Sequence, residues 1–147
     1  MSTTPTLNGQ VIGQAHYATR AVLEHLLART GTTFHQSVAL NATADSGGAV
    51  DREQLITRMT STLKIDAAAV LATIAELTDS KLMETLPGDT SRLRLTDTGQ
   101  ALNREIRGAI GELTTRLYGA LSADELATAG RILTVITARA NAELADV

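Results

Sequence analysis

From Gly9 to Arg29, apolar side chains recur at spacings of three and four: Val11, Ile12, Ala15, Ala18, Val22, Leu23, Leu26 and Leu27. That spacing collects them on one face of a helix. "RTGTT" breaks the pattern, with Gly31 placed to cap one helix end and Thr33 to start the next. A second helix is predicted over Phe34 to Thr43. "ADSGGAV", residues 44–50, reads as a loop because of its paired glycines. Asp51, with Gln54 three residues on, forms a capping-box pattern that opens a third helix. Leu55, Met59 and Leu63 lie four apart along it. Lys64 and Ile65 make a short turn, and Asp66 caps a fourth helix whose predicted buried side is Val70, Leu71, Ile74 and Leu77. Two helices joined this tightly match a helix-turn-helix.

Two short runs follow, "KLMETL" and "SRLRLT", flanking "PGDT", which reads as a hairpin turn. After Thr96 helical spacing resumes through Leu102, Ile106, Ala109, Ile110, Leu113 and Leu117. "SADEL" is a second capping box, Ser122 with Glu125, and a last helix runs to about Leu144. The order is therefore helix, helix, helix-turn-helix, hairpin, long helix, helix, with no internal repeat.

Composition narrows the reading. A chain of 147 residues, 44% apolar, is expected to fold as one domain around a sizeable core. The apolar residues are mostly Ala, Leu, Ile and Val, with one Phe, two Tyr and no Trp, which favours helices over sheets. The absence of cysteine excludes disulfides, thiolate metal sites and a thiol nucleophile, and fits a reducing compartment. "MSTTPTLNGQ" lacks the pattern of a signal peptide, and no apolar run approaches ~18 residues, so a cytoplasmic protein without a membrane span is expected. The net charge of −3 is unlike that of a strongly basic nucleic-acid binder. Any basic patch must be found residue by residue.

The order of elements and several local motifs resemble the MarR family of winged-helix regulators over nearly the whole chain. "TTFHQSVAL" is similar to the family's Thr-x-x-Gln start of the second helix, at Thr33 and Gln36. The apolar face at Leu55, Met59 and Leu63 resembles its third helix. "AELTDSKLMETL" resembles its Leu-x-x-x-Gly-Leu-Val step into the wing, at Leu77, Leu82 and Met83, with Lys81 where glycine is usual. "RLRLTDTGQAL" resembles its Leu-Thr-x-x-Gly motif, at Leu95, Thr96 and Gly99. The resemblance implies a mainly α fold. It comprises a winged helix-turn-helix lobe with a two-stranded wing over residues 33–96, and N- and C-terminal dimerisation helices over 9–29 and 97–145. It also implies a homodimer that binds double-stranded palindromic DNA and responds to a small phenolic or carboxylate effector. Two departures fall where DNA would be touched. The wing tip is shortened to "PGDTSR", with Asp89 and Arg92 the nearest equivalents of an acidic-x-basic motif. The fourth helix begins with Ala67, Ala68 and Ala69 instead of polar or basic residues.

Phosphate contacts supply much of a DNA binder's affinity, and base contacts its sequence choice. The candidate contacts are Arg52, Arg58, Lys64, Ala68, Ala69, Thr73, Arg92 and Arg94. Between Asp51 and Thr96 six Lys or Arg stand against seven Asp or Glu, so the lobe is not basic as a whole. The alanines can touch a thymine methyl but cannot make a bidentate contact to guanine or adenine. On charge alone, Arg92 and Arg94 read equally well as ordinary solvated residues of a hairpin.

For an effector, His16, Tyr17 and Arg20 on the first helix and Phe34 and His35 on the second are the candidates. An aromatic wall with a His and an Arg suits a small carboxylate or phenol. The competing reading makes Tyr17 and Phe34 packing residues and the histidines solvated. His16 and His35 lack a carboxylate at matching spacing, so no metal and no other cofactor is expected. No nucleophile turn, phosphate loop or catalytic constellation occurs, so no enzyme is expected. Two functions remain: a ligand-responsive MarR-type regulator, or a degenerate winged-helix protein that has lost specific DNA binding and serves as an interaction or ligand-binding module.

Overall fold

A computed structural model describes residues 4–147. The order is α1 (Gly9–Ala28), α2 (Phe34–Asp45), β1 (Ala49–Asp51), α3 (Arg52–Leu63), α4 (Ala67–Asp79), β2 (Met83–Leu86), β3 (Asp89–Leu95), α5 (Asp97–Tyr118) and α6 (Ala123–Ala145). The chain divides into two compact units, one ending at Ile110 and the other Gly111–Val147.

In the first unit, α2, α3 and α4 pack with the sheet around Ala39, Leu40, Leu55, Met59, Val70, Ile74, Leu77, Met83 and Leu93. Burying such side chains contributes ~1.5–3 kcal/mol each for the larger ones, and this is the main force holding the lobe together. Thr33 caps α2 with a full capping box: Gln36 N–H donates to the Thr33 hydroxyl, and Thr33 N–H to the Gln36 side chain. Asp51 accepts from the backbone of Glu53 and Gln54 at the start of α3.

The expected two-stranded wing is present as β2 and β3, and a third strand joins its sheet. Ala49 and Val50, predicted as loop, form β1 together with the cap residue Asp51 and pair antiparallel with β3, giving the order β1-β3-β2. The paired glycines hid the strand, yet Val50 is buried opposite Leu93, and the pairing covers the second edge of β3. α2 also runs two residues beyond its expected end at Thr43, to Asp45. Leu71, predicted on the buried side of α4, is 46% exposed.

Three helices end in the same turn. After α1, Thr32 N–H bonds to Leu27 and Gly31 N–H to Ala28; after α2, Gly48 N–H bonds to Thr43 and Gly47 N–H to Ala44. After α4, Leu82 N–H bonds to Leu77 and Lys81 N–H to Thr78. The motif needs a left-handed residue at its centre. Gly31 and Gly47 supply it in the first two cases, but in the third Lys81 does so, at φ +59°. This is the lysine that replaces the glycine of the resembled motif.

The second unit consists of the end of α5 and α6. Ser122 and Glu125 form the predicted capping box at the start of α6. α6 has no buried residue, and Leu126, Leu133 and Ile136 are 37%, 41% and 38% exposed.

Candidate DNA-binding face and ligand cavity

α3 stops because Lys64 turns left-handed, at φ +58°. Two residues later Asp66 takes an extended conformation, and its carboxylate accepts from Ala69 N–H to start α4. Val70, Thr73, Ile74 and Leu77 face inward. Ala67, Ala68, Leu71, Ala72 and Ala75 are exposed, so the outer face of α4 is apolar along its first two turns. Ala69 is only half-exposed. Thr73 does not share the outer face. It is 3% exposed and its hydroxyl donates to the Ala69 carbonyl, so it is no free donor for a base or phosphate.

The cations are dispersed. Arg52 is half-buried at the start of α3, and Lys64 is exposed at the turn. Arg58 lies 3.5 Å from Asp45, on the side of α3 that borders a cavity described below. On the wing, Leu93 and Leu95 point into the core while Arg92 and Arg94 take the opposite side of β3. Arg94 sits opposite Glu84 and donates to its carboxylate at 2.9 Å. Arg92 is exposed near the tip. Asp89, the other tip residue, is held by Ser91: the hydroxyl and then the backbone N–H of Ser91 keep its carboxyl below its usual pKa, with Arg92 contributing less.

The wing is tied down by one residue. Thr96 N–H donates to the Leu82 carbonyl, its hydroxyl donates to the Lys81 carbonyl at 2.7 Å, and the same oxygen accepts from Gly99 N–H at the start of α5. A Cβ at Gly99 would fall on the Leu82 carbonyl oxygen. The Leu-Thr-x-x-Gly pattern is therefore a joint, with the threonine as its hydrogen-bonding centre and the glycine as its clearance.

A cavity of about 270 Å³ opens between α1, α2, α3 and α5. Leu23, Phe34, Val38, Met59, Ile106 and Ile110 give it apolar walls, and Asn41, Arg58, Asn103 and Arg107 give it polar groups. Asn103 is 8% exposed. Of the five candidate effector residues, Phe34 alone lines this space. Arg20 reaches the same ring differently: its guanidinium lies 4.4 Å from the Phe34 centroid and pairs with Glu24. His16 and Tyr17 pack edge to face with each other and are exposed, Tyr17 by 72%. His35 is half-buried beside Phe34 and does not line the cavity. The sequence reading missed Arg58, Asn103 and Arg107 as cavity residues. Their signal was present, as polar residues interrupting the apolar faces of α3 and α5. Among the described residues no cluster of three or more His, Asp or Glu is arranged to hold a metal.

No protein-family profile matches the sequence, and no curated protein matches it. The solved structures are different. A cysteine-to-serine mutant of MarR from E. coli, complexed with operator DNA, superimposes with a TM-score of 0.71 at 22% identity, covering 87% of this chain and 91% of that one. The chain has the MarR fold. NadR in complex with 4-hydroxyphenylacetate gives a TM-score of 0.72 at 19% identity, over 89% of this chain and 95% of that one. The PcaV transcriptional regulator from Streptomyces coelicolor, in complex with its natural ligand, gives 0.72 at 23% identity, over 95% and 99%. Within the MarR fold, α3 and α4 are the helix-turn-helix and β2–β3 the wing. No helix among the described residues is long and apolar enough to cross a membrane.

Proposed function

We propose that this protein is a homodimeric, ligand-responsive, DNA-binding transcription regulator that acts in the cytoplasm and carries out no catalysis of its own. Residues 33–96 are its DNA-binding lobe, and residues 9–29 and 97–145 serve dimerisation. The observation that carries the reading is the exposed, small-residue start of α4 beside a firmly jointed wing, in a fold shared with a protein solved on operator DNA. The alanines let the helix backbone approach a major groove closely, while the Asp66 carboxylate, which accepts from Ala69 N–H, leaves phosphate contacts to side-chain cations. Lys64, Arg52 and Arg92 are the cations assigned to phosphates in this reading. The ligand site is the cavity walled by Phe34 and Met59. Its mix of apolar lining and two arginines suits a small aromatic acid. α6, with its apolar side chains uncovered, is the natural surface for a second copy. Obligate dimers commonly bury over ~2,000 Å² in total.

One observation favours the rival reading of a degenerate module: Arg94 and Arg58 are both already paired with carboxylates. A gel shift of the full-length protein on the DNA directly upstream of its own gene separates the two. The regulator reading expects a shifted band that survives excess unrelated DNA and is released by an aromatic acid such as salicylate. A band that disappears with unrelated competitor supports the degenerate module.

A further inference from the structure

Between Lys64 and Lys81 the outer face of α4 offers no side-chain hydrogen-bond donor of the kind that reads base edges. Thr73 is buried, and the hydroxyls of Thr73 and Thr78 are both committed to carbonyls of their own helix. The large side chain exposed on the first two turns is Leu71. It shares its side of the helix with Ala68, Ala72 and Ala75, at offsets of three, one and four residues, all exposed. An exposed leucine amid alanines carries a cost in water and has no structural task in the lobe, whose core is closed by Val70, Ile74 and Leu77.

Resting on the DNA-binding reading above, we propose that Leu71 is a sequence-reading residue that recognises the 5-methyl group of thymine in the major groove, flanked by the methyl groups of Ala68, Ala72 and Ala75. The thymine methyl is the apolar feature that the major groove presents, and apolar side chains recognise it by contact. A protein partner fits this face less well. A specific protein interface needs about 800 Å² per partner and is usually centred on Trp, Tyr or Arg. This face has a single leucine, three methyl groups and no aromatic residue. The nearest cation along the chain, Lys64 in the turn before α4, matches a phosphate rather than an apolar partner. Recognition of this type selects T-rich steps and is blind to guanine, because nothing on the face can donate to its O6 or N7.

The test uses the full-length protein and a duplex that it selects from a random 30-base-pair library. The selected duplex is resynthesised with thymine replaced by deoxyuridine, one position at a time, which removes only the methyl group. Anisotropy should show at least one position where the parent binds about fourfold more weakly, the worth of one buried methylene-sized group. In Leu71→Ala, with an unchanged circular dichroism spectrum, the thymine-to-uracil ratio at that position should fall to near one, and Leu71→Met should restore it. If the parent binds the selected duplex but treats every deoxyuridine duplex alike, Leu71 is not a reader, while the DNA-binding reading stands. If the selection enriches no duplex, the DNA-binding reading itself falls, and this inference with it. If Leu71→Ala instead dissociates the protein in light scattering, the leucine serves a protein contact and the inference is overturned.

Discussion

The hydroxyl of Thr96 donates a 2.7 Å hydrogen bond to the carbonyl of Lys81, joining the end of the wing to the residue that opens it. Lys81 is held left-handed at that point, and the Thr96 oxygen also accepts from Gly99 N–H. The angle at which the wing leaves α4 is thus fixed by Lys81, Thr96 and Gly99.

Gly99→Ala should break this joint. Its Cβ would collide with the Leu82 carbonyl, a backbone atom that cannot move without shifting β2. Overpacking of this kind typically costs ~1–3 kcal/mol. Urea unfolding should show a lower midpoint with an unchanged slope, and a variant as stable as the parent would mean that the joint is loose.

Lys81→Gly should do the opposite. A left-handed L-residue costs roughly 1–2 kcal/mol, and glycine gives back part of that through its freedom in the unfolded chain, leaving a gain of about 0.5–1 kcal/mol. The same urea measurement checks it. A loss of stability would mean that the Lys81 side chain makes contacts worth more than the backbone strain.

The two wing arginines should behave differently. Arg92→Ala removes an exposed tip cation and should lower the slope of log affinity against log salt by ~0.9 per contact. Arg94→Ala should have a smaller effect, because Glu84 already neutralises it at 2.9 Å. Glu84→Gln should therefore strengthen DNA binding. Exposed pairs such as this one are worth only ~0–1 kcal/mol, so the fold should tolerate the change. Fluorescence anisotropy at several salt concentrations reads all three variants.

At the wing tip, Asp89 titrates below its usual pKa because Ser91 bonds to the ionised carboxylate. A depressed pKa means that the turn is stabilised at neutral pH, and that this contribution disappears as pH falls through the pKa of the folded state. Ser91→Ala should raise the Asp89 pKa, as read by NMR titration of its side-chain carbonyl carbon. An unchanged value would place the cause elsewhere.

Much of this architecture was legible in the hydrophobic pattern, for stated reasons. Caps such as Thr33, Asp66 and Ser122 announce where their helices start. β1 was hidden because three residues after two glycines carry no periodicity, and its partner β3 lies more than forty residues away. Leu71 misled because leucine at a spacing of one from Val70 fits the edge of a buried stripe as well as an exposed one, and only the packing of α4 against α2 and α3 decides. The candidate DNA face was half legible. Its alanines were plain, but the pairing of Arg94 with Glu84 and the burial of Thr73 depend on strand register and helix rotation. The cavity was the least legible part, since Arg58, Asn103 and Arg107 meet Phe34 only through tertiary packing.

The central claim is that α4 enters the major groove of DNA. Ala68 is the alanine to change, because it is exposed whereas Ala69 is half-covered and its N–H is bonded to Asp66. Anisotropy of the parent and of Ala68→Asp on the protein's own upstream duplex, at low and moderate salt, tests the claim directly. The account predicts that the added carboxylate, repelled by phosphates, abolishes binding while leaving the circular dichroism melt intact. An Ala68→Asp protein that binds as tightly as the parent would contradict it.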